Sequence, residues 1–143
     1  MEVRPLLPAQ CSQAARVTAT ATEGWSSTAL EETLAHGTGQ VFGLWEDELL
    51  LGVAVFQLVL EEASLEGITL LPDCRGKGLG KLFLARCLEQ LKAGGAETCF
   101  LEVRSQNQPA IALYEGMGFL KMGMRKNFYR NPPDHALTYR LDF

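Results

Sequence analysis

Apolar and polar positions along the chain follow two spacings, one helical and one strand-like, and the change between them divides the sequence. Val3 to Leu7 reads as a first strand, followed by a short helical region from Pro8 to Ala21 whose apolar content is mostly Ala and Val. Trp25-Ser26-Ser27-Thr28 offers a helix cap before Ala29 to Leu34, and Gly37 and Gly39 end that second helix. From there the pattern turns to strands. Val41 to Trp45, Leu49 to Val59 and Ser64 to Leu70 are β-rich, with Glu46-Asp47-Glu48 and Glu61-Glu62-Ala63 as polar turns, which predicts three consecutive antiparallel strands.

Between Leu79 and Lys92 the apolar residues Leu84, Cys87, Leu88 and Leu91 return to helical spacing. Leu82 and Phe83 widen the face, and Gly94 and Gly95 close it. Thr98 to Arg104 follows as a strand, Pro109 to Glu115 as a helix stopped by Gly116 and Gly118, and Phe119 to Met124 with Ala136 to Leu141 as a late strand pair. Strand, helix, strand from Ser64 to Arg104 is a βαβ unit, expected to cross over right-handedly with parallel strands.

The junction inside that unit, Leu70-Leu71-Pro72-Asp73-Cys74-Arg75-Gly76-Lys77-Gly78-Leu79-Gly80-Lys81, carries the most chemistry. An apolar strand runs into a glycine-rich turn that opens an amphipathic helix, the layout of a pyrophosphate cradle built from backbone N–H groups and the positive end of a helix. A nucleotide-hydrolase loop is excluded, because Leu71 stands at its first glycine and Gly78 where Ser or Thr would follow the lysine. The dinucleotide fingerprint fails as well, since Gly76-Lys77-Gly78-Leu79-Gly80 is G-x-G-x-G and Phe83 occupies the last glycine's place. What remains is Arg-x-x-Gly-x-Gly. A ligand-free helix start is the alternative, made costly by three alternating glycines.

Composition narrows the class. With 143 residues, 47% of them apolar, the chain suits one domain, 1–143, without repeats or linkers. Its apolar runs are broken at Gly52 and Gln57, far short of the roughly 20 residues that cross a bilayer. The amino terminus lacks an export pattern, so a cytoplasmic protein with no membrane partner is expected. Cys11, Cys74, Cys87 and Cys99 form no C-x-x-C pair and have only His36 and His135 to join them, so no metal site is predicted and reduced, mostly buried thiols are. A formal charge of −4 and a pI near 5.2 argue against nucleic acid and suit a positively charged substrate.

Two residues after the glycine turn suggest catalysis. On the strand Phe100-Leu101-Glu102-Val103-Arg104, alternation places Phe100, Glu102 and Arg104 on one face and Cys99, Leu101 and Val103 on the other. Partial desolvation beside Phe100 would make Glu102 a general base near neutral pH; the alternative is an exposed carboxylate paired with Arg104. Tyr114, in the helix that follows, can present a phenol to the same cleft as a proton donor, or simply pack on the sheet. Cys74 as a nucleophile has no nearby histidine to support it.

Arg-x-x-Gly-x-Gly resembles the acyl-CoA pyrophosphate loop of the GNAT superfamily of N-acetyltransferases. Leu101-Glu102-Val103-Arg104, Asn107, Ala110 to Glu115, Gly118-Phe119 and Arg125 to Tyr129 resemble its RimI-like branch, the ribosomal-protein N-terminal alanine acetyltransferases. The likeness runs from Trp25-Ser26 to the last strand. It implies an α/β (α+β) fold: a mixed, mostly antiparallel central sheet, a parallel splayed strand pair at the acetyl-CoA site, and helices on both faces. It also implies acetyl-CoA as donor, Glu102 as proton acceptor, Tyr114 as proton donor and Asn107 as a CoA contact. Cofactor binding is implied at Ile68, Thr69 and Leu70 and at Arg75, Gly76, Lys77, Gly78, Leu79, Gly80 and Lys81. The acceptor implied is a peptide or protein N-terminus, such as that of a basic ribosomal protein, which the acidic turns could attract. The chain departs from the branch at Asp134-His135-Ala136, where Glu-Asp-Ala is usual, and at Gly67, where a polar residue is common. Another amine acceptor, or a non-catalytic acyl-CoA-binding module on the same fold, are the competing readings.

Overall fold

The computed structural model describes residues 1–21 and 24–143. A seven-stranded sheet in the order β1-β2-β3-β4-β5-β7-β6 organises it. The strands are β1 (Glu2–Pro5), β2 (Gly39–Glu46), β3 (Leu49–Val59), β4 (Glu62–Leu70), β5 (Thr98–Arg104), β6 (Leu120–Arg130) and β7 (Pro133–Asp142); the helices are α1 (Cys11–Thr18), α2 (Ser27–Ala35), α3 (Leu79–Ala93) and α4 (Gln108–Gly116). All neighbours pair antiparallel except β4 and β5, which are parallel across the α3 crossover. The predicted elements recur, with differences of extent: the helical region expected over Pro8 to Ala21 is a 3-10 turn, Pro8–Gln10, followed by α1, and β7 begins at Pro133, three residues before Ala136. β1 stops at Pro5, and β6 continues six residues beyond Met124, because the β6–β7 pair forms a long hairpin arm at the sheet's edge.

Two apolar layers flank the sheet. On one face Phe83, Leu84, Cys87, Leu88 and Leu91 of α3 pack with Phe56, Leu101, Val103, Tyr114 and Tyr139. On the other, Cys11, Ala14 and Val17 of α1 and Leu30 of α2 cover Val41, Val53 and Val55. α3 has its stripe because residues spaced by three and four share one side of a helix. Burying side chains of this size is worth roughly 1.5–3 kcal/mol each. α2 begins where Ser26 Oγ accepts the N–H of Ala29 at 3.0 Å, the cap that Trp25-Ser26 signalled.

The layers differ in reach. α1 and α2 lie over β2, β3 and β4, so among the described residues no helix packs on that face of β5, β7 and β6. Phe100, Glu102 and Arg104 of β5 look out onto that open surface, because Cys99, Leu101 and Val103 are committed to the α3 layer. All four cysteines are free thiols, three buried and Cys74 half-buried. Burial pushes the Cys99 thiol up to about 12, which suits inert packing.

Candidate functional site

The sheet opens between β4 and β5. Their parallel pairing runs from Glu62 opposite Thr98 to Leu65 opposite Leu101 and then stops. Beyond that point β4 stays with β3 as far as Leu70 opposite Gly52, and β5 stays with β7 as far as Arg104 opposite Ala136. A bulge in β4 causes the divergence: Val55 faces Gly67 and Phe56 faces Leu65, leaving Glu66 as the extra residue. Leu71 N–H reaches Leu51 O at 2.9 Å. By alternation Thr69 also bonds towards β3, and the amide edges of Ile68 and Leu70 turn into the gap. Of the strand residues expected to bind cofactor, Ile68 turns its main-chain groups to the opening, Leu70 its N–H, with Leu70 O taken by Arg75 Nε at 3.1 Å, and Thr69 neither.

The glycine turn stands at the mouth of this gap. Cys74 N–H bonds Leu71 O at 2.9 Å, Arg75 N–H bonds Pro72 O at 3.2 Å, and Leu82 N–H bonds Gly78 O at 3.3 Å. Among the described residues the N–H groups between them, from Gly76 through Lys77, Gly78, Leu79 and Gly80 to Lys81, have no protein acceptor. Such a run at a helix start is an anion site in waiting. Gly76 and Gly78 hold φ of +73° and +79°, and a Cβ at either would meet nothing within 4 Å, so the turn is open to a ligand from outside. Glycine is needed there for the left-handed backbone. Gly80 differs: a Cβ would sit 3.7 Å from both Leu113 and Leu70, ordinary contact that brings the start of α3 close to α4. Arg75 also differs from expectation, since its amide is used by the turn and its guanidinium points away from it.

Glu102 lies on the far lip of the gap, and its surroundings depart from the sequence reading. The carboxylate is 35% exposed and pairs with Arg125 of β6, Nε to Oε2 at 3.4 Å. Arg104, the partner in the alternative reading, donates to Pro132 O at 2.7 Å and Asn131 O at 3.4 Å and lies over the Tyr129 ring at 4.1 Å. The aromatic shelter expected from Phe100 is taken by Arg140, 5.3 Å above that ring. Glu102 is thus a solvated carboxylate held by a cation across β7, because among the described residues no helix covers the β5–β7–β6 surface to desolvate it.

Tyr114 approaches from the opposite face. It is 6% exposed, edge-on to Phe119 at 5.9 Å, and belongs to the α3-side layer. Burial, reinforced by Cys99 and Tyr129, raises its phenol well above the ordinary range, so it keeps its proton at any working pH. Among the described residues its oxygen has no hydrogen bond, and it is not sealed either: Trp45 Nε1 is the fully buried polar atom without a partner there. Glu102 and Tyr114 therefore stand on opposite faces of β5. Asn107 Oδ1 caps α4 by accepting Ala110 N–H at 3.3 Å, and its amide nitrogen makes no hydrogen bond among the described residues.

Several shaping residues escaped the sequence reading. Thr18, 1% exposed, accepts Trp25 N–H and donates to Trp25 O, both at 2.9 Å. This fixes the indole over Gly67, where a Cβ would fall 3.1 Å from Nε1. The one signal was a threonine on the apolar side of α1, seven residues after Cys11. Asp134 accepts from the Ser105 hydroxyl and from Gln106 N–H at 3.1 Å, anchoring the turn that leads into α4. The Ser105 bond is the main reason its carboxyl is lowered. Tyr139 donates to Glu115 Oε2 at 2.7 Å, tying α4 to β7. The Glu61-Glu62 turn lies at the closed end of the β4–β5 pair, where Glu61 O takes the N–H of Glu97, remote from the gap.

The described residues hold no cluster of three or more His, Cys, Asp or Glu placed for a metal, and no helix is long and apolar enough to cross a membrane. The model of the acetyltransferase (GNAT) family matches residues 11–119. A ribosomal protein bS18-alanine N-acetyltransferase of Haemophilus influenzae is 45% identical over 103 residues, 70% of each chain. Its counterpart in Escherichia coli K12 is 38% identical over 102 residues, 69% of each. The crystal structure of the ribosomal-protein-S18-alanine N-acetyltransferase from Escherichia coli matches 99% of this chain and 92% of its own, with a TM-score of 0.89 at 29% identity. Strand splay, glycine turn and these likenesses agree: the chain belongs to the GNAT family of acetyltransferases, on the RimI-like branch that these relatives define.

Proposed function

We propose that this N-acetyltransferase takes acetyl-CoA as donor and a protein N-terminal α-amine as acceptor, with an amino-terminal alanine of a ribosomal protein as the acceptor that its named relatives suggest. The observation that carries the donor is the unbroken run of unbonded amides from Gly76 to Lys81 beside a gap edged by Ile68 and Leu70. These fit a diphosphate at the helix start and an extended pantetheine arm along the strand. Asn107 adds its amide nitrogen to that arm.

The chemistry follows from the two faces of β5. Glu102 takes a proton from the acceptor ammonium, whose pKa is about 8, directly or through one water. The freed amine attacks the acetyl carbonyl, a C–N bond forms, and the C–S bond breaks. Main-chain N–H groups on the β4 edge polarise the carbonyl oxygen. Tyr114 supplies a proton to the departing thiolate and regains one, through solvent, from the nitrogen, which sheds its second proton as the neutral amide forms. A phenol raised by burial is a weak acid, but the same low dielectric makes a thiolate more basic, so transfer accompanies bond cleavage.

The test is CoA release by the purified chain with a peptide starting in alanine, its N-acetylated form, and a polyamine. Turnover with the free α-amine alone is expected. Equal turnover with the blocked peptide through an internal lysine, or preference for the polyamine, would overturn the acceptor assignment.

A further inference from the structure

Arg75 follows the end of β4 by five residues and directly precedes the glycine turn, yet its side chain serves neither strand nor turn alone. Nε donates to Leu70 O at 3.1 Å, and the terminal nitrogen Nη2 reaches Thr20 Oγ1 at 3.3 Å and Thr20 O at 3.5 Å. Leu70 O belongs to the edge that faces the gap. Thr20 closes the end of α1, where its hydroxyl also donates to Val17 O at 2.8 Å. Two residues before it, Thr18 holds both main-chain groups of Trp25, and Trp25 lies on Gly67 beside the β4 bulge. Trp25 is therefore pinned by Thr18, and Thr20 by the residue that directly precedes the glycine turn.

We propose that Arg75 is a positioning residue which couples the two substrate sites: it sets Thr20 at the end of α1, and through the neighbouring Thr18 sets Trp25 over the acceptor side of the gap, according to the state of the cofactor turn. This rests on the acetyl-CoA and α-amine reading above. When the turn closes on a diphosphate, Arg75 is held from both sides and its fork keeps Thr20 and Leu70 in register. A planar guanidinium can bond two carbonyls and a hydroxyl at once, whereas a lysine ammonium offers a point charge without that geometry. Coupling of this kind is reciprocal, so a donor that tightens the acceptor is itself tightened by it.

The experiment compares the full chain with Arg75→Gln, Arg75→Lys, Thr20→Val, Thr20→Ser and the Arg75→Gln/Thr20→Val pair. CoA affinity is measured by calorimetry, and acceptor KM at saturating acetyl-CoA. Arg75→Gln is expected to raise acceptor KM about fivefold while CoA Kd changes less than about twofold, the scale of a lost exposed charge-assisted bond. Arg75→Lys should restore little, Thr20→Ser should behave as wild type, and the pair should be no worse than Arg75→Gln alone. In protein labelled with 5-fluorotryptophan, the Trp25 resonance, assigned by its loss in Trp25→Phe, should shift on CoA addition in wild type and stay in Arg75→Gln. This readout needs no acceptor, so failure of the alanine peptide to react leaves it intact. Loss of CoA affinity as large as the rise in KM, additive effects in the pair, or a Trp25 shift that survives Arg75→Gln would overturn the proposal.

Discussion

Gly78→Ala separates the cost of a left-handed backbone from the cost of an obstructed anion site, because Gly95 supplies a matched control. Gly78 caps the start of α3 at φ +79°, Gly95 follows its end at φ +106°, and a Cβ at either position would meet nothing within 4 Å. Neither substitution clashes with the free protein. Each forces alanine into positive φ, at about 1–2 kcal/mol. At about 2.1 cal/mol/K per residue, unfolding 143 residues carries an entropy near 0.3 kcal/mol/K, so each variant should lose roughly 3–6 °C in Tm. Binding should divide them. A methyl at Gly78 enters the space above the unbonded amides, and losing one charge-assisted bond to a diphosphate, about 1.5–3 kcal/mol, weakens CoA about tenfold or more. Gly95→Ala should stay within about twofold. Scanning calorimetry and isothermal titration on the two variants give all four numbers. Equal losses of CoA affinity, or none in Gly78→Ala, would refute the placement of the anion at this turn.

Three further outcomes follow from the geometry. Glu102→Gln should lower kcat at neutral pH by at least about a hundredfold with CoA binding unchanged; unchanged turnover by stopped-flow thiol detection would remove Glu102 from the base role. Tyr114→Phe removes a hydroxyl that bonds nothing among the described residues, so Tm should move by less than about 2 °C while kcat falls, and a large Tm loss would show the oxygen to be structural. Asp134 is lowered in the folded state, so it stabilises above its unfolded pKa and loses that contribution as pH falls through the lower folded value. Urea midpoints of Asp134→Asn should therefore lie below wild type at pH 7 and converge with it in acid; a gap that persists at low pH would contradict this.

Much of the fold was readable because local rules decided it. The α3 stripe, the Ser26 cap and the glycine turn are written in spacings of a few residues, and the crossover to β5 follows from chirality. The missing parts depend on pairing at long range. The bulge at Glu66 leaves no composition signal, yet it opens the gap and turns Ile68 and Leu70 outward. Arg125 reaches Glu102 only because β7 inserts between β5 and β6, so the alternative reading had only the neighbouring Arg104 to offer as a partner. Alternation along β5 correctly separated Glu102 from Leu101. Because Tyr114 packs in the layer that Leu101 faces, it and Glu102 came out on opposite sides of one strand.

The central claim is that backbone amides from Gly76 to Lys81 grip the diphosphate of the acyl carrier. Titration of CoA into isotopically labelled protein, followed through its backbone amide resonances, tests it directly. The account predicts concerted shifts at Gly76, Lys77, Gly78, Leu79, Gly80 and Lys81 at the concentration that saturates binding, with Gly94 and Gly95 unmoved. Saturation that leaves those six resonances in place while others shift would contradict it.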